Sequence, residues 1–230
     1  LTIIFPRELP TGLKTAKDSF TLDVNDTVFE SDISRIVNTQ SHGAGTTDRF
    51  TGLLTTNNLK KSDWLNLTGW INSLKGRQKT FLVHDAEREF PQTFIINPGP
   101  TFDSTTDKFD SDIITFDAGE FPGVGAVDGA GQSGDSLNTR DWPVSVTIMK
   151  TGDMFQQQVQ AHMLTEDAVT DAFGKVTLQF EPAIRTSPAD NTLIKTKKAQ
   201  IIARRISSTI PFQTDEVAFL PITIGFEEVI

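Results

Sequence analysis

Three histidines and thirty acidic side chains are where chemistry would begin in this sequence. His42, His84 and His162 stand far apart, none at i, i+4 from another, and the chain has no cysteine. Zinc needs clustered nitrogen or sulfur ligands, so no zinc site is expected. His84-Asp85 offers two members of a triad, but no G-x-S-x-G elbow supplies a nucleophile. His162 falls on the polar side of an alternating stretch, where a solvated ring is expected. Asp103, Asp107, Asp110 and Asp112 could give calcium its oxygen ligands, yet the glycine and closing glutamate of an EF-hand loop are missing. A solvated acidic loop is the plainer reading. Residues 123–134 are glycine-rich but lack the lysine of a phosphate loop and a helix pattern after it. Paired carboxylates for glycoside hydrolysis stay open, because their pairing is spatial. No metal, cofactor or enzyme activity is expected from these residues.

Lys195, Lys197, Lys198, Arg204 and Arg205 form a basic cluster in an acidic chain. A solvated face is the plain reading. The sharper one is a subunit contact with an acidic patch on a neighbouring copy, such as 103–117. The net charge is −9, from 30 acidic and 21 basic residues. That excess argues against general or sequence-specific nucleic-acid binding. No apolar run approaches the length of a membrane span. The opening LTIIFPRELP lacks the basic flank of a signal peptide. Without cysteine there is no disulfide, which fits a reducing compartment.

The elements that must position these residues are mostly strands. The exception is 62–76. There Trp64, Leu67, Ile71 and Leu74 recur at i, i+3, i+7 and i+10 and line one helix face. Ser62 or Asp63 suits its start and Lys75-Gly76 its end. Phe20, Leu22 and Val24 alternate with polar residues. Arg49–Thr55 and Thr80–His84 flank the helix as strands. Val144, Val146 and Ile148 predict a strand. From 155 to 163, Phe155, Val159, Ala161 and Met163 face one way. Gln156, Gln158, Gln160 and His162 face the other, a candidate neutral polar wall. Val176, Leu178 and Phe180 predict another strand that Pro182 and Pro188 punctuate. Strands at 199–210 and around Leu220–Phe226 follow. The expected class is mainly β, sandwich- or barrel-like antiparallel sheets with one amphipathic helix at about 62–75. The expected organisation is a β-rich part with the helix (1–97), a loop-rich insertion (98–142) and a second β-rich part (143–230).

The second half carries a resemblance. K-T-G-D-M-F-Q at 150–156, E-D-A-V-T-D-A-F-G-K-V-T-L at 166–178 and E-P-A-I-R-T-S-P-A-D at 181–190 occur in order. Gly152, Asp153, Asp171, Gly174, Pro182, Arg185 and Pro188 are the motif positions. Arg49-Phe50, L-K-G-R at 74–77, Thr80-Phe81-Leu82, Gly225 and Glu227-Glu228 agree more loosely. The chain resembles, over roughly 45–95 and 120–228, the distal tail proteins of long-tailed bacteriophages. It departs from them at Met154, which stands ahead of the aromatic Phe155, and at 98–120, which looks like extra material. The resemblance implies a non-enzymatic virion protein with a β-rich core and one helix. It implies a ring, commonly a hexamer, at the tail tip after assembly in the host cytoplasm. Its partners would be other copies, the tail tube protein, the hub and the tape measure protein, around a channel for DNA. An acidic lumen would let DNA slide rather than stick. Rival expectations are a tube or terminator protein, or a carbohydrate-binding tail-tip module with Trp142 as the stacking residue.

Overall fold

The computed structural model describes residues 4–10, 15–24, 26–30, 37–41, 47–93, 125–208 and 220–229. In chain order the elements begin with β1 (Thr15–Asp23), β2 (Asp26–Glu30), β3 (Val37–Ser41) and β4 (Arg49–Thr56). Helix α1 (Lys61–Ser73) and β5 (Phe81–His84) follow. Then come β6 (Ala126–Val127), β7 (Gly134–Arg140), β8 (Thr147–Met149), β9 (Met154–Gln157) and β10 (Gln160–Leu164). The chain continues through β11 (Ala168–Val169), β12 (Val176–Ile184) and β13 (Ile194–Lys195) to β14 (Gln200–Arg205) and β15 (Thr223–Glu228). The fold is mainly β, with antiparallel sheets and a single helix among the described residues, the class that the alternation predicts.

One sheet is open, in the order β1-β4-β15-β14-β5. Period-two alternation sends Phe50, Leu54, Ile224, Phe226, Ile201, Ala203, Phe81 and Val83 to one face, where all are buried. Each of these side chains except Ala203 contributes about 1.5–3 kcal/mol on burial. Helix α1 lies on this face through Leu67, Trp70, Ile71 and Leu74. The stripe read from sequence is therefore widened. Trp64 and Trp70 flank it on either side, Trp64 half-buried and Trp70 buried with its indole N–H donating to Glu8 O at 2.8 Å. The expected cap is replaced: the helix starts earlier, Lys60 is the N-cap residue, and its ammonium has no acceptor with which to cap, while Ser62 and Asp63 lie inside the first turn. Lys75 and Gly76, both at positive φ, end the helix as expected.

The other sheet curls shut. Its order is β13-β9-β10-β12-β7-β6, and its two ends meet. Ala126 bridges Leu193, Val127 N donates to Thr192 O at 2.9 Å, and Ile194 N donates to Gly125 O at 2.8 Å. The interior is filled by Val127, Leu137, Phe155, Leu164, Leu178 and Phe180. Trp142 stops one end, packed so closely on Gly125 that a Cβ there would lie 1.9 Å from the indole. The short β8–β11 ladder adjoins that end. The outer side of β9–β10 gives Met154 and Ala161 to the core under the open sheet, so barrel and sheet share a seam.

Several local expectations change. Residues 134–140, read as part of the loop-rich insertion, form β7 and pair with β12. Only Leu137 is strongly apolar there, so the alternation was faint; Leu137 and Thr139 are buried and Asn138 is exposed. Residues 155–163 are two strands joined at Gln158-Val159, with Gln158 at φ 52 and Gln157 opposite Gln160. The strand through Val144 and Val146 is confined to β8, since Ser145 turns to φ 55 and leaves both valines exposed. Pro182 lies inside β12, which runs on to Ile184; it falls where the β12–β7 register shifts between Gln179 and Ile184. The sequence also predicts a short strand over 33–37; of it only Val37, which opens β3, lies within the described residues.

Candidate functional site

Barrel and sheet are keyed together by one ion pair. Arg185, just past β12, presents Nη1 to Glu228 Oε1 at 2.7 Å and Nη2 to Oε2 at 2.9 Å. The same Nη2 donates to Asp48 O at 2.6 Å, and Glu228 Oε2 accepts Phe50 N–H at 3.1 Å. Glu228 is 3% exposed. Two-pronged geometry with extra donors is what a buried carboxylate requires to offset its lost hydration. Glu227 lies next in the strand and so faces the other side. There it meets Arg204 at 2.9 Å, Arg49 at 3.0 Å and Arg77 at 3.7 Å.

The remaining motif positions hold turns. Gly152 has φ 88, and buried Asp153 accepts the N–H groups of Lys150 at 2.7 Å and Gln92 at 3.0 Å. Asp171 Oδ1 accepts N–H from Phe173 and Lys175, each at 2.8 Å. Both bonds hold its carboxyl below the usual carboxylate range. Gly174 closes this turn at φ 70, where a Cβ would strike Trp142 O at 2.2 Å. Pro182 and Pro188 are buried.

His162 is not solvated: it is 1% exposed, inside the barrel. The turn at Gln158-Val159 places it opposite Phe155, and its ring centroid lies 5.3 Å from Phe155 and 4.5 Å from Phe180. Its Nδ1 lies 2.7 Å from Pro182 O, so this nitrogen carries the proton. Burial pushes its pKa down to about 4. The polar wall is likewise corrected. Gln160 is buried and bonds to Arg185 N and Thr186 O at 2.8 and 3.0 Å; Gln156 is half-buried and accepts Gln200 N–H at 3.0 Å, and only Gln158 is exposed, at the turn.

The basic cluster divides. Lys198 pairs with Glu89 at 3.0 Å, Lys197 stands 5.0 Å over the Phe90 ring, and Lys195 donates to Gln200 at 3.2 Å. Arg204 is taken by Glu227. Arg205 is buried on the core face of β14 and is withdrawn from any surface contact. Trp142 is buried, so it offers no face for sugar stacking. Asp85 is spent locally, on Glu87 N–H at 2.9 Å and Arg88 Nη1 at 2.5 Å, rather than on a triad. Gly129 and Gly131 belong to the β6–β7 connection and Gly134 opens β7, all at positive φ. His42 and the carboxylates at 103–112 lie outside the described residues. Among the described residues no group of His, Asp and Glu could hold a metal ion, and no helix is long and apolar enough to cross a membrane. Sequence reasoning missed the Arg185–Glu228 pair, although both residues stood in its motifs; no local signal joins positions so far apart.

Fold and site together define a mainly β protein in which a nearly closed barrel is keyed to an open sheet by a buried ion pair. The chain matches no protein-family model and no curated protein.

Proposed function

We propose that the chain is a structural virion protein, the distal ring of a long-tailed phage tail, assembled from copies of itself between tube and hub. The observation that carries this reading is an open edge. β1 is nine residues long and, among the described residues, pairs with β4 alone. The β2–β3 hairpin follows it directly and, among the described residues, pairs only with itself. A long free edge is a liability in an isolated protein and a joint in an assembly, where a neighbour completes the ladder. The ordered motifs support the same reading, because they serve as turns and as the barrel's key rather than as a reactive centre. An excess of nine negative charges suits a wall past which DNA must slide.

Negative-stain electron microscopy with class averaging tests it. Closed rings with an open centre are expected, six-fold by the resemblance. Long stacked tubes would make this a tube protein instead. Dispersed single copies at every concentration would overturn the reading.

A further inference from the structure

Four large apolar side chains stand exposed at one end of the barrel: Val144, Val146, Val169 and Phe173, the last 83% exposed. They are neighbours. Trp142 N bonds to Gly174 O at 3.1 Å, Ser145 N to Asp171 O at 3.0 Å and Thr170 N to Val146 O at 2.9 Å, holding the two segments side by side. Single exposed apolar residues are ordinary; a grouped set marks a contact surface. The surroundings are acidic, with Asp141, Glu166, Asp167 and Asp171 all exposed. Thr151, through its N–H and hydroxyl, holds Asp167 below the usual carboxylate range, so this charge persists. Lys150 lies near Asp167, Arg140 stands 3.7 Å from Asp141 and Lys175 is engaged by Asp128 at 2.7 Å, so Glu166, Asp167 and Asp171 leave the rim with an acidic excess. Two such surfaces set face to face would oppose carboxylate to carboxylate. The occupant must therefore bring an apolar group in a cationic frame.

The outward stripe of α1 has that composition. Lys61, Leu65, Gly69 and Asn72 are exposed along it, with exposed Lys60 and Lys75 at its ends and Asp63 as the helix's one carboxylate. Leu65 is 52% exposed. Gly69 is a separate observation. Glycine inside a helix is destabilising relative to alanine. Among the described residues, nothing outside the helix's own nearby backbone lies within 4 Å of where a Cβ of residue 69 would stand, so their packing gives no reason for a glycine. A partner's ring lying against the helix would give one.

We infer that the Phe173 patch of one copy seats on the outward stripe of α1 of the next copy. The contact is head-to-tail, of the kind that closes into rings, and it rests on the ring reading above. Sedimentation velocity of the full chain at rising concentration tests it. Wild type is expected to self-associate, and Phe173→Asp and Leu65→Asp are each expected to weaken association at least about tenfold. Mixed together, the two variants are expected to form a dimer and stop, since each supplies one intact face. Gly69→Ala is expected to raise Tm by about 1–3 °C while weakening association. Circular dichroism checks that the variants fold, with Val169→Asp replacing Phe173→Asp if needed. If wild type assembles and either variant assembles equally well, or the mixture stays monomeric, this contact is overturned and the ring reading stands. A wild type that never associates would overturn both.

Discussion

The barrel and the open sheet solve the same problem in opposite ways. Both are antiparallel sheets with one apolar face, and both must deal with strand edges. The barrel removes its edges by joining β6 to β13 through Ala126 and Leu193. The open sheet covers one edge, where Arg7 bridges β5 at Phe81, and leaves β1 with a single partner among the described residues. Closure yields a unit that satisfies its own backbone; openness yields a surface that can be completed from outside. The difference separates the two: the barrel pairs its own ends, whereas the sheet keeps an edge that, in the ring proposed above, a neighbouring copy would complete.

The largest effect is expected at the key between them. Arg185→Ala leaves Glu228 buried without its partner and should cost about 3–5 kcal/mol, read as a lowered urea midpoint. An unchanged midpoint would mean that barrel and sheet hold together without the pair. Next comes acid. His162 has a folded pKa of about 4 against an ordinary 6.5, so the folded state binds fewer protons between those values. Stability should therefore fall as pH drops from 6.5 to 4, by about 3 kcal/mol in all from this residue. His162→Leu should flatten that slope, and a variant with the wild-type slope would remove the barrel's acid sensitivity from His162. Gly125→Ala comes third: the added methyl must displace Trp142 and should cost about 1–3 kcal/mol by thermal melting. The smallest effect is expected on the outer face of the open sheet. Arg77→Ala touches an exposed member of the Glu227 cluster at 3.7 Å and should cost under about 1 kcal/mol. A larger loss there would show the open face to be as tightly keyed as the buried one.

What could be read beforehand was local. Alternation at Val176, Leu178 and Phe180 placed β12, and the apolar spacing from Leu67 to Leu74 placed α1. Asp171 and Gly174 marked their turn because side-chain capping and positive φ act within a few residues. The failures share a cause too. The Gln158 turn uses no glycine, so the hairpin read as one strand and His162 went to the wrong face. β7 draws its burial from one leucine and a threonine, too little for a pattern. Arg185 and Glu228 meet only because the end of β12 in the barrel packs against β15 of the open sheet, a fact of tertiary packing.

His84 and Gln200 are register partners in adjacent strands. From the standpoint of the open sheet, everything between them is the loop of one β-hairpin. The barrel is thus a module with a single doorway, entered and left through neighbouring positions whose separation hardly depends on what hangs between them. Such an arrangement lets the body be enlarged at its far end while the strands of the open sheet keep their order, provided the seam at Met154, Ala161 and Arg185 is kept.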